Sequence, residues 1–125
     1  MQEITIITEN KVGVLAQVCG LLGNSGVNIE AISAQGLGDS GLIRLVTGDT
    51  ATAKKALEKG GFSFKTGEII TVKLNDSPGE LHKVTRKLSK AGVDIESLYL
   101  LSKNKGVFEV AIKAGDEDAA RRALK

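Results

Sequence analysis

The hydrophobic positions of the chain alternate between the period of a strand and the period of a helix. Over residues 2–8 apolar side chains recur at every second position, so that Ile4 and Ile6 would face one side of a strand. Between residue 14 and about residue 25 the spacing becomes that of an amphipathic helix. Gly26 follows where a helix favours a left-handed residue. The predicted inner face of this helix is formed by Val14, Leu15, Val18, Leu21 and Leu22.

The residues after this helix predict two strands, a short helix and a last strand. The second strand starts at Gly26-Val27-Asn28-Ile29 and runs to about Gln35, and the third covers Leu42 to Thr47. Either Asp49 or Thr50 caps a helix over about residues 51–59. The half ends with a helix-terminating pair and a short fourth strand, Gly60-Gly61 and Phe62-Ser63-Phe64.

The second half of the chain repeats this order of elements. At a shift of 66 residues (79 minus 13), Gly13 corresponds to Gly79 and Leu15 to Leu81. The repeat has no counterpart of the fourth strand, so we expect the second copy to lack it. The predicted elements of the second copy are strands over residues 68–74, 93–101 and 107–113, a helix over residues 78–91 with Leu81 on its inner face, and a helix that starts at Asp116.

Two copies of this pattern predict an α+β fold made of two ferredoxin-like βαββαβ units. Each unit would be an antiparallel sheet with both helices on one face. We place the domains at residues 1–66 and 67–125, with the boundary near Lys65-Thr66-Gly67. Units of this size bury little apolar surface alone, so we expect the two to pack together and the seam between them to suit a ligand.

The composition is that of an ordinary globular protein and narrows the function. Lys and Arg number 17 against 15 Asp and Glu, which is too balanced to indicate a nucleic-acid or membrane partner. With Cys19 alone no internal disulfide forms, and Glu3 interrupts any signal peptide. No apolar run is long enough to cross a bilayer. We therefore expect a cytoplasmic protein.

Patterns that would indicate catalysis or a cofactor are weak in this chain. Gly36-x-Gly38-x-x-Gly41 has the spacing of a dinucleotide fingerprint, but a strand follows it where that fingerprint needs a helix. Cys19 and His82 lie on helices of different copies, with no third group to orient them. We expect no catalytic residue, no metal site and no cofactor.

The repeated corner between first strand and first helix carries a resemblance to a known family. Asn10-x-x-Gly13-x-Leu15 with Gly26-Val27-Asn28-Ile29, and Asp76-x-Pro78-Gly79-x-Leu81 with Gly92-Val93-Asp94-Ile95, resemble the ACT domain over nearly the whole chain. The resemblance implies a regulatory sensor, usually of a free amino acid, that binds its ligand between two units and is not itself an enzyme. The ligand-binding positions that it implies are Asn10, Lys11, Val12, Gly13, Val14, Leu15, Asn28, Ile29, Asp76 and Asp94.

The two corners differ in their residues. Ser77-Pro78-Gly79-Glu80 matches a capping box with Ser77 at the N-cap, which would satisfy part of the helix donors from within. Asp76 adds a negative charge there. In the first corner no capping box is possible, and Lys11 is positive. We therefore expect the first corner to hold an amino-acid carboxylate, with Asp94 or Asn28 meeting the ammonium. The alternative is that Asn10 only caps its helix.

A second reading is a structural module that binds no small molecule. If the second copy lacks its fourth strand, the strand Ile70–Leu74 has an open edge that favours strand pairing with another chain. This predicts a homo-oligomer, for example a dimer. Under either reading the partner could include a separate regulated enzyme.

Overall fold

The computed structural model describes all 125 residues and contains seven strands and four helices. They form two compact units, one made of Gln2–Gly67 and the other of Glu68–Lys125 together with Met1. The strands are β1 (Gln2–Glu9), β2 (Ile29–Leu37), β3 (Ser40–Thr47), β4 (Phe64–Glu68), β5 (Ile70–Asn75), β6 (Ile95–Asn104) and β7 (Val107–Ala114), and the helices are α1 (Val14–Asn24), α2 (Thr50–Lys59), α3 (Glu80–Lys90) and α4 (Glu117–Ala123).

The first unit is a four-stranded sheet with two helices on one face. Its strand order is β2-β3-β1-β4, with β3 antiparallel to both β1 and β2. The core lies between this sheet and the helices α1 and α2. Its fully buried side chains include Ile4, Ile6, Val18, Leu22, Leu45 and Leu57.

The second unit has a three-stranded sheet in the order β5-β7-β6, with both pairings antiparallel. Helices α3 and α4 pack on its core through Val84, Leu88 and Ala120. The predicted fold class is confirmed: both units are α+β, with antiparallel sheets and their helices on one face. None of the four helices is long and apolar enough to cross a membrane.

Two residues predicted to lie at helix ends do so in the structure. Gly26 is left-handed at φ +72°, as predicted for the residue after α1. Of the two candidate caps for α2, Asp49 is the one used, because its side chain accepts a hydrogen bond from the Thr52 N–H at 3.0 Å. The predicted inner face of α1 is wrong at Leu15, which is 42% exposed, and Leu81 on α3 is exposed in the same way.

The prediction of a fourth strand at Phe62-Ser63-Phe64 is wrong in its bounds. Gly61 is left-handed, and the Phe62 N–H donates to the Leu57 carbonyl at 3.0 Å, so these residues close α2. The strand starts at Phe64 and continues through the polar residues 65–67 that suggested a boundary. Because β4 is an edge strand, one side of it faces water and polar residues fit there.

Candidate functional site

Each unit has one corner where the first strand turns into the first helix. The first corner is residues 10–15 and the second corner is residues 76–81. In both, a left-handed glycine is the N-cap of the helix: Gly13 at φ +93° before α1 and Gly79 at φ +87° before α3. Neither helix has a side-chain hydrogen bond at its cap. The N–H donors that every helix leaves open at its start are therefore free of a side-chain cap in both corners.

The predicted capping box in the second corner is wrong. Helix α3 begins at Glu80, so Ser77 lies two residues before the N-cap instead of occupying it. The Glu80 N–H approaches the Ser77 carbonyl at 3.4 Å, and the Glu80 carboxylate pairs with Lys83 at 3.1 Å. The physical reason is Gly79, whose left-handed backbone turns the chain between Pro78 and the helix and so moves the helix start past the motif.

Asn10 does not cap a helix either, so that alternative is wrong. Its side-chain Nδ2 donates to the Gly38 carbonyl at 2.9 Å, and its backbone N–H donates to the Asp39 carbonyl at 2.8 Å. Both acceptors lie in the turn between β2 and β3. Asn10 therefore ties the first corner to the tip of the neighbouring hairpin.

The positive charge expected at the first corner is paired. Lys11 Nζ lies 2.6 Å from a carboxylate oxygen of Glu9, and both side chains are largely exposed. The hydrogen bond to Glu9 raises the pKa of Lys11, and the charge attraction adds to it. Lys11 is thus one half of a surface ion pair and not an isolated cation.

Two depressions adjoin the first corner. The larger, which we call the corner groove, is an open space of about 680 Å³ bounded by residues 11–14, the hairpin tip at Asp39 and Ser40, and residues 61–63. The smaller, the corner pocket, is about 200 Å³ and lies between the first turn of α1 and the sheet. The walls of the pocket include Thr8, Asn10, Val14, Leu15, Ala34, Gly36, Gly41 and Ile43.

The corner groove presents charges of both signs. Glu9 and Asp39 supply two carboxylates, and Lys11 supplies one ammonium group. Val12 and Gly13, which also line the groove, stand at the uncapped start of α1, where the helix dipole favours an anion. The groove therefore has features suited to a small zwitterion.

The acidic residue of the second corner is paired with a neighbouring side chain. Asp76 Oδ2 forms an ion pair with Lys103 Nζ at 2.8 Å, and the Asp76 backbone N–H donates to the Gly106 carbonyl at 2.8 Å. Leu74, just before the corner, is buried, and Phe108 opposite it packs against the core.

Comparisons with known proteins agree on one family. The family model of the ACT domain pair matches residues 1–124. The chain belongs to the ACT domain pair family. A solved Bacteroides thetaiotaomicron protein has 30% identity and a TM-score of 0.89, and the match covers 98% of this chain and 85% of that one. The comparison with curated protein sequences finds no match.

The fold also matches the regulatory subunit of aspartate kinase from Thermus thermophilus, solved in a ligand-free form. The identity is 20% and the TM-score is 0.72, and the match covers 98% of this chain and 89% of the subunit. ACT domain pairs are regulatory modules, so the family places this chain among ligand-responsive regulators and not among catalytic domains.

The remaining predicted ligand positions of this ACT pair lie far from the corners of their own units. Asn28 and Ile29 stand at the start of β2, where Ile29 pairs with Thr47, whereas the first corner adjoins the Glu9–Ser40 end of the sheet. The Asn28 carbonyl accepts from the Gly48 N–H at 3.2 Å. Asp94 holds the equivalent place in the second unit, where its carbonyl accepts from the Gly115 N–H at 3.0 Å. Within one unit these residues and the corner do not come together.

Sequence reasoning missed the inner wall of the corner pocket. Thr8, Ala34, Gly36 and Gly41 line it, and none was among the predicted site residues. One signal was present: Thr8 continues the inward-facing alternation of Ile4 and Ile6 but is small and polar. The glycines were visible as a hairpin, yet their nearness to the corner depends on strand register.

Proposed function

We propose that this ACT domain pair is a regulatory module that binds a free amino acid at the first corner. One observation supports the proposal above others: the uncapped start of α1 and charges of both signs line the same open groove. An amino acid carries a carboxylate and an ammonium group on one carbon, so it matches both features at once. A carboxylic acid or an amine alone would match only one.

In this arrangement the α-carboxylate lies at the N–H donors around residues 12–15. A helix terminus contributes about 0.3–1 kcal/mol to such a charge at an exposed site. The ammonium group lies near Asp39, whose carboxylate lines the groove. Asn10 acts by holding the hairpin tip, and with it Asp39, against the corner.

The predicted ligand positions at the far end of each sheet belong to a different unit from the corner they complete. Asn28, Ile29 and Asp94 do not contact a ligand at the corner of their own unit, so another ACT unit would supply them. Asp76 takes no part, because Lys103 already pairs with it. We propose further that the module is cytoplasmic, carries no catalytic step and acts on a separate enzyme, as the name of the Thermus relative states for that subunit.

A screen of thermal unfolding against the free amino acids tests the proposal. A ligand stabilises the folded chain by RT ln(1 + [L]/Kd), which is about 2.7 kcal/mol at roughly 100 times Kd. We expect one or a few amino acids to raise Tm. The matching amine without the carboxylate, and the matching acid without the ammonium group, should leave Tm unchanged. A flat screen would overturn the proposal.

Calorimetric titration of variants locates the site. We expect Asn10→Ala and Asp39→Asn to weaken binding, while Asp76→Ala leaves the affinity unchanged. Asp39→Asn removes a carboxylate but keeps the backbone carbonyl that accepts from Asn10. A loss at Asp76→Ala as large as that at Asn10→Ala would contradict the choice of corner.

A second candidate function is an interaction module, and one observation favours it. Strand β5 is an edge strand of its sheet, and an open groove of about 440 Å³ runs beside it and α4. An exposed edge pairs readily with a strand of another chain. A flat amino-acid screen, together with an oligomer whose size grows with concentration in light scattering, would favour this function. The exposed edge of β5 can be tested by Thr71→Pro, which removes an outward-facing backbone donor and leaves the pairing of Val72 with Val110 in place.

A further inference from the structure

We propose that the corner pocket is the side-chain subsite of the first corner and that it selects amino acids with a short aliphatic side chain. The inference rests on the proposed function and adds the class of ligand and the residues that set it. It follows from a comparison of equivalent positions in the two units, as the register of their sheets defines them.

Strand register identifies the residues of the second unit that occupy the place of the corner pocket. Thr8 lies opposite Gly41 in the first unit, and Leu74 lies opposite Phe108 in the second. Across the hairpin, Gly36 pairs with Gly41 as Lys103 pairs with Phe108. One step earlier, Ala34 and Ile43 correspond to Leu100 and Val110.

Four positions are therefore small in the first unit and large in the second. Thr8, Ala34, Gly36 and Gly41 correspond to Leu74, Leu100, Lys103 and Phe108. In the second unit Leu74 is buried and Phe108 packs on the core, whereas Leu100 and Lys103 are largely exposed. In the first unit the same region is the pocket of about 200 Å³.

The size and lining of the pocket indicate its occupant. An engineered apolar cavity of about 150 Å³ holds a benzene molecule, so a pocket of this size takes a branched aliphatic group. Val14, Ala34 and Ile43 supply apolar wall. The charged residues at the wall, Glu9 and Lys11, are paired with each other, so neither is left to balance a charged ligand side chain.

Gly36 sets the shape of the pocket through Asn10. A Cβ built at position 36 would lie 2.8 Å from Asn10 Nδ2, closer than real Cβ contacts allow. The Asn10 side chain thus occupies the space that a side chain at position 36 would take, and from there it reaches the Gly38 carbonyl. The pocket and the groove share Thr8, Glu9, Lys11 and Val14, so a ligand head group and its side chain lie at adjoining surfaces.

The first test is a calorimetric titration of the native chain with a series of free amino acids. The series runs from glycine through alanine, valine, isoleucine and leucine to lysine, glutamate and tryptophan. We expect valine, isoleucine or leucine to bind at least about tenfold more tightly than glycine, because a methylene buried in an apolar pocket changes affinity by roughly 10–200-fold. Lysine, glutamate and tryptophan should bind more weakly than the aliphatic members.

The second test fills the pocket with the residues of the second unit, in the variant Thr8→Leu with Gly41→Phe. Position 41 accepts a Cβ, since the nearest atom, the Glu9 carbonyl oxygen, would lie at 3.5 Å. We expect aliphatic binding to fall at least about tenfold, with circular dichroism and Tm used to verify folding. The matched control is Gly23→Ala at the far end of α1, where an added Cβ meets nothing within 4 Å.

The outcomes separate this inference from the proposed function. Aliphatic preference, lost in the filled variant and kept in the control, supports both. If amino acids bind but charged or large side chains bind equally well, or if the filled variant binds as the native chain does, the subsite is wrong while the proposed function stands. If no amino acid binds, the proposed function fails and the subsite fails with it. The series on the native chain decides the matter even where the filled variant does not fold.

Discussion

The two corners of this chain have the same backbone and opposite side chains. Both turn from strand to helix through a left-handed glycine, and both leave the helix without a side-chain cap. The first corner is lined by Thr8, Gly36 and Gly41, and the equivalent positions of the second hold the larger residues Leu74, Lys103 and Phe108. The comparison teaches that side-chain volume beside the corner, and not helix capping, distinguishes the open corner from the closed one.

The polar contacts also differ between the two corners. The neutral Asn10 lies over Gly36 and bonds to a backbone carbonyl, whereas the acidic Asp76 pairs with Lys103 at the equivalent place. The second corner is therefore held by a charge pair between its own side chains. In the first corner the carboxylates and the ammonium group face an open groove.

The largest expected effect comes from emptying the filled corner. Leu74→Ala should lower the free energy of unfolding by about 2–5 kcal/mol, because it removes buried methyl groups and leaves a cavity. Thr8→Ala at the equivalent position should cost less than about 1 kcal/mol, since only a local hydrogen bond is lost. Chemical denaturation measures both, and equal losses would show that the two corners are packed alike.

Replacing the left-handed glycines should have a smaller effect, and one that is the same in both corners. Gly13→Ala and Gly79→Ala each place a Cβ in a left-handed backbone, which costs roughly 1–2 kcal/mol. Ser77→Ala should change the free energy of unfolding by less than about 0.5 kcal/mol, because Ser77 is not the N-cap. A loss of about 1 kcal/mol or more at Ser77 would indicate that Ser77 does cap α3. The two corners would then not share the same uncapped helix start.

The ion pair of the second corner should contribute less to the free energy of unfolding than the left-handed glycines do. Lys103→Ala is expected to cost about 0.2–1 kcal/mol, since both partners are partly exposed. The cost should shrink at high salt, which screens exposed charges. Arg86→Ala, which removes an exposed cation from α3, serves as the control. A loss at Lys103 that salt leaves unchanged would indicate that packing and not charge closes the corner.

The smallest effect concerns the caps of α2 and α4, where the units differ by one hydroxyl. The hydroxyl and the N–H of Thr52 both donate to the Asp49 carboxylate and lower its pKa from the ordinary 3.8. Ala119 offers Asp116 only its N–H. Because the folded-state pKa of Asp49 is lowered, the stabilisation is present above pH 3.8 and is lost as the pH falls through the folded pKa.

Thr52→Ala tests that difference directly. The variant makes the α2 cap resemble the α4 cap, and we expect the pKa of the Asp49 carboxyl group to rise towards its ordinary value. An NMR titration of the carboxyl carbon between acid and neutral pH measures it. An unchanged titration of Asp49 would mean that the Thr52 hydroxyl has no part in the cap.

The fold could be predicted from the sequence because the same order of strands and helices occurs twice along the chain. The alternation of Ile4 and Ile6 and the helical spacing of Val18 and Leu22 correspond to fully buried side chains. The error at the fourth strand has a physical cause: β4 is an edge strand and carries polar residues that mimic a linker. Edge strands carry charged and polar residues that discourage pairing with other chains, and these residues weaken the hydrophobic periodicity.

The candidate site was less predictable because it depends on register and backbone angles. Strand β6 has an irregularity between Leu100 and Ser102 that β2 lacks, which makes the hairpin of the second unit one residue longer. A constant shift along the sequence therefore aligns Gly41 with Val107, whereas register places it with Phe108. Because of that one extra residue, an alignment at a constant shift does not show that small residues of the first unit correspond to large residues of the second. The capping box failed because sequence spacing does not reveal a left-handed glycine.

A titration of the isotopically labelled chain with valine or leucine, followed by amide NMR, tests the central claim most directly. We predict that amides of residues 8–15, together with Gly36 and Gly41, shift and that the shifts saturate at one ligand per chain. Amides of residues 74–81, Lys103 and Phe108 should stay in place. Equal shifts at both corners, or shifts at the second corner alone, would contradict the account.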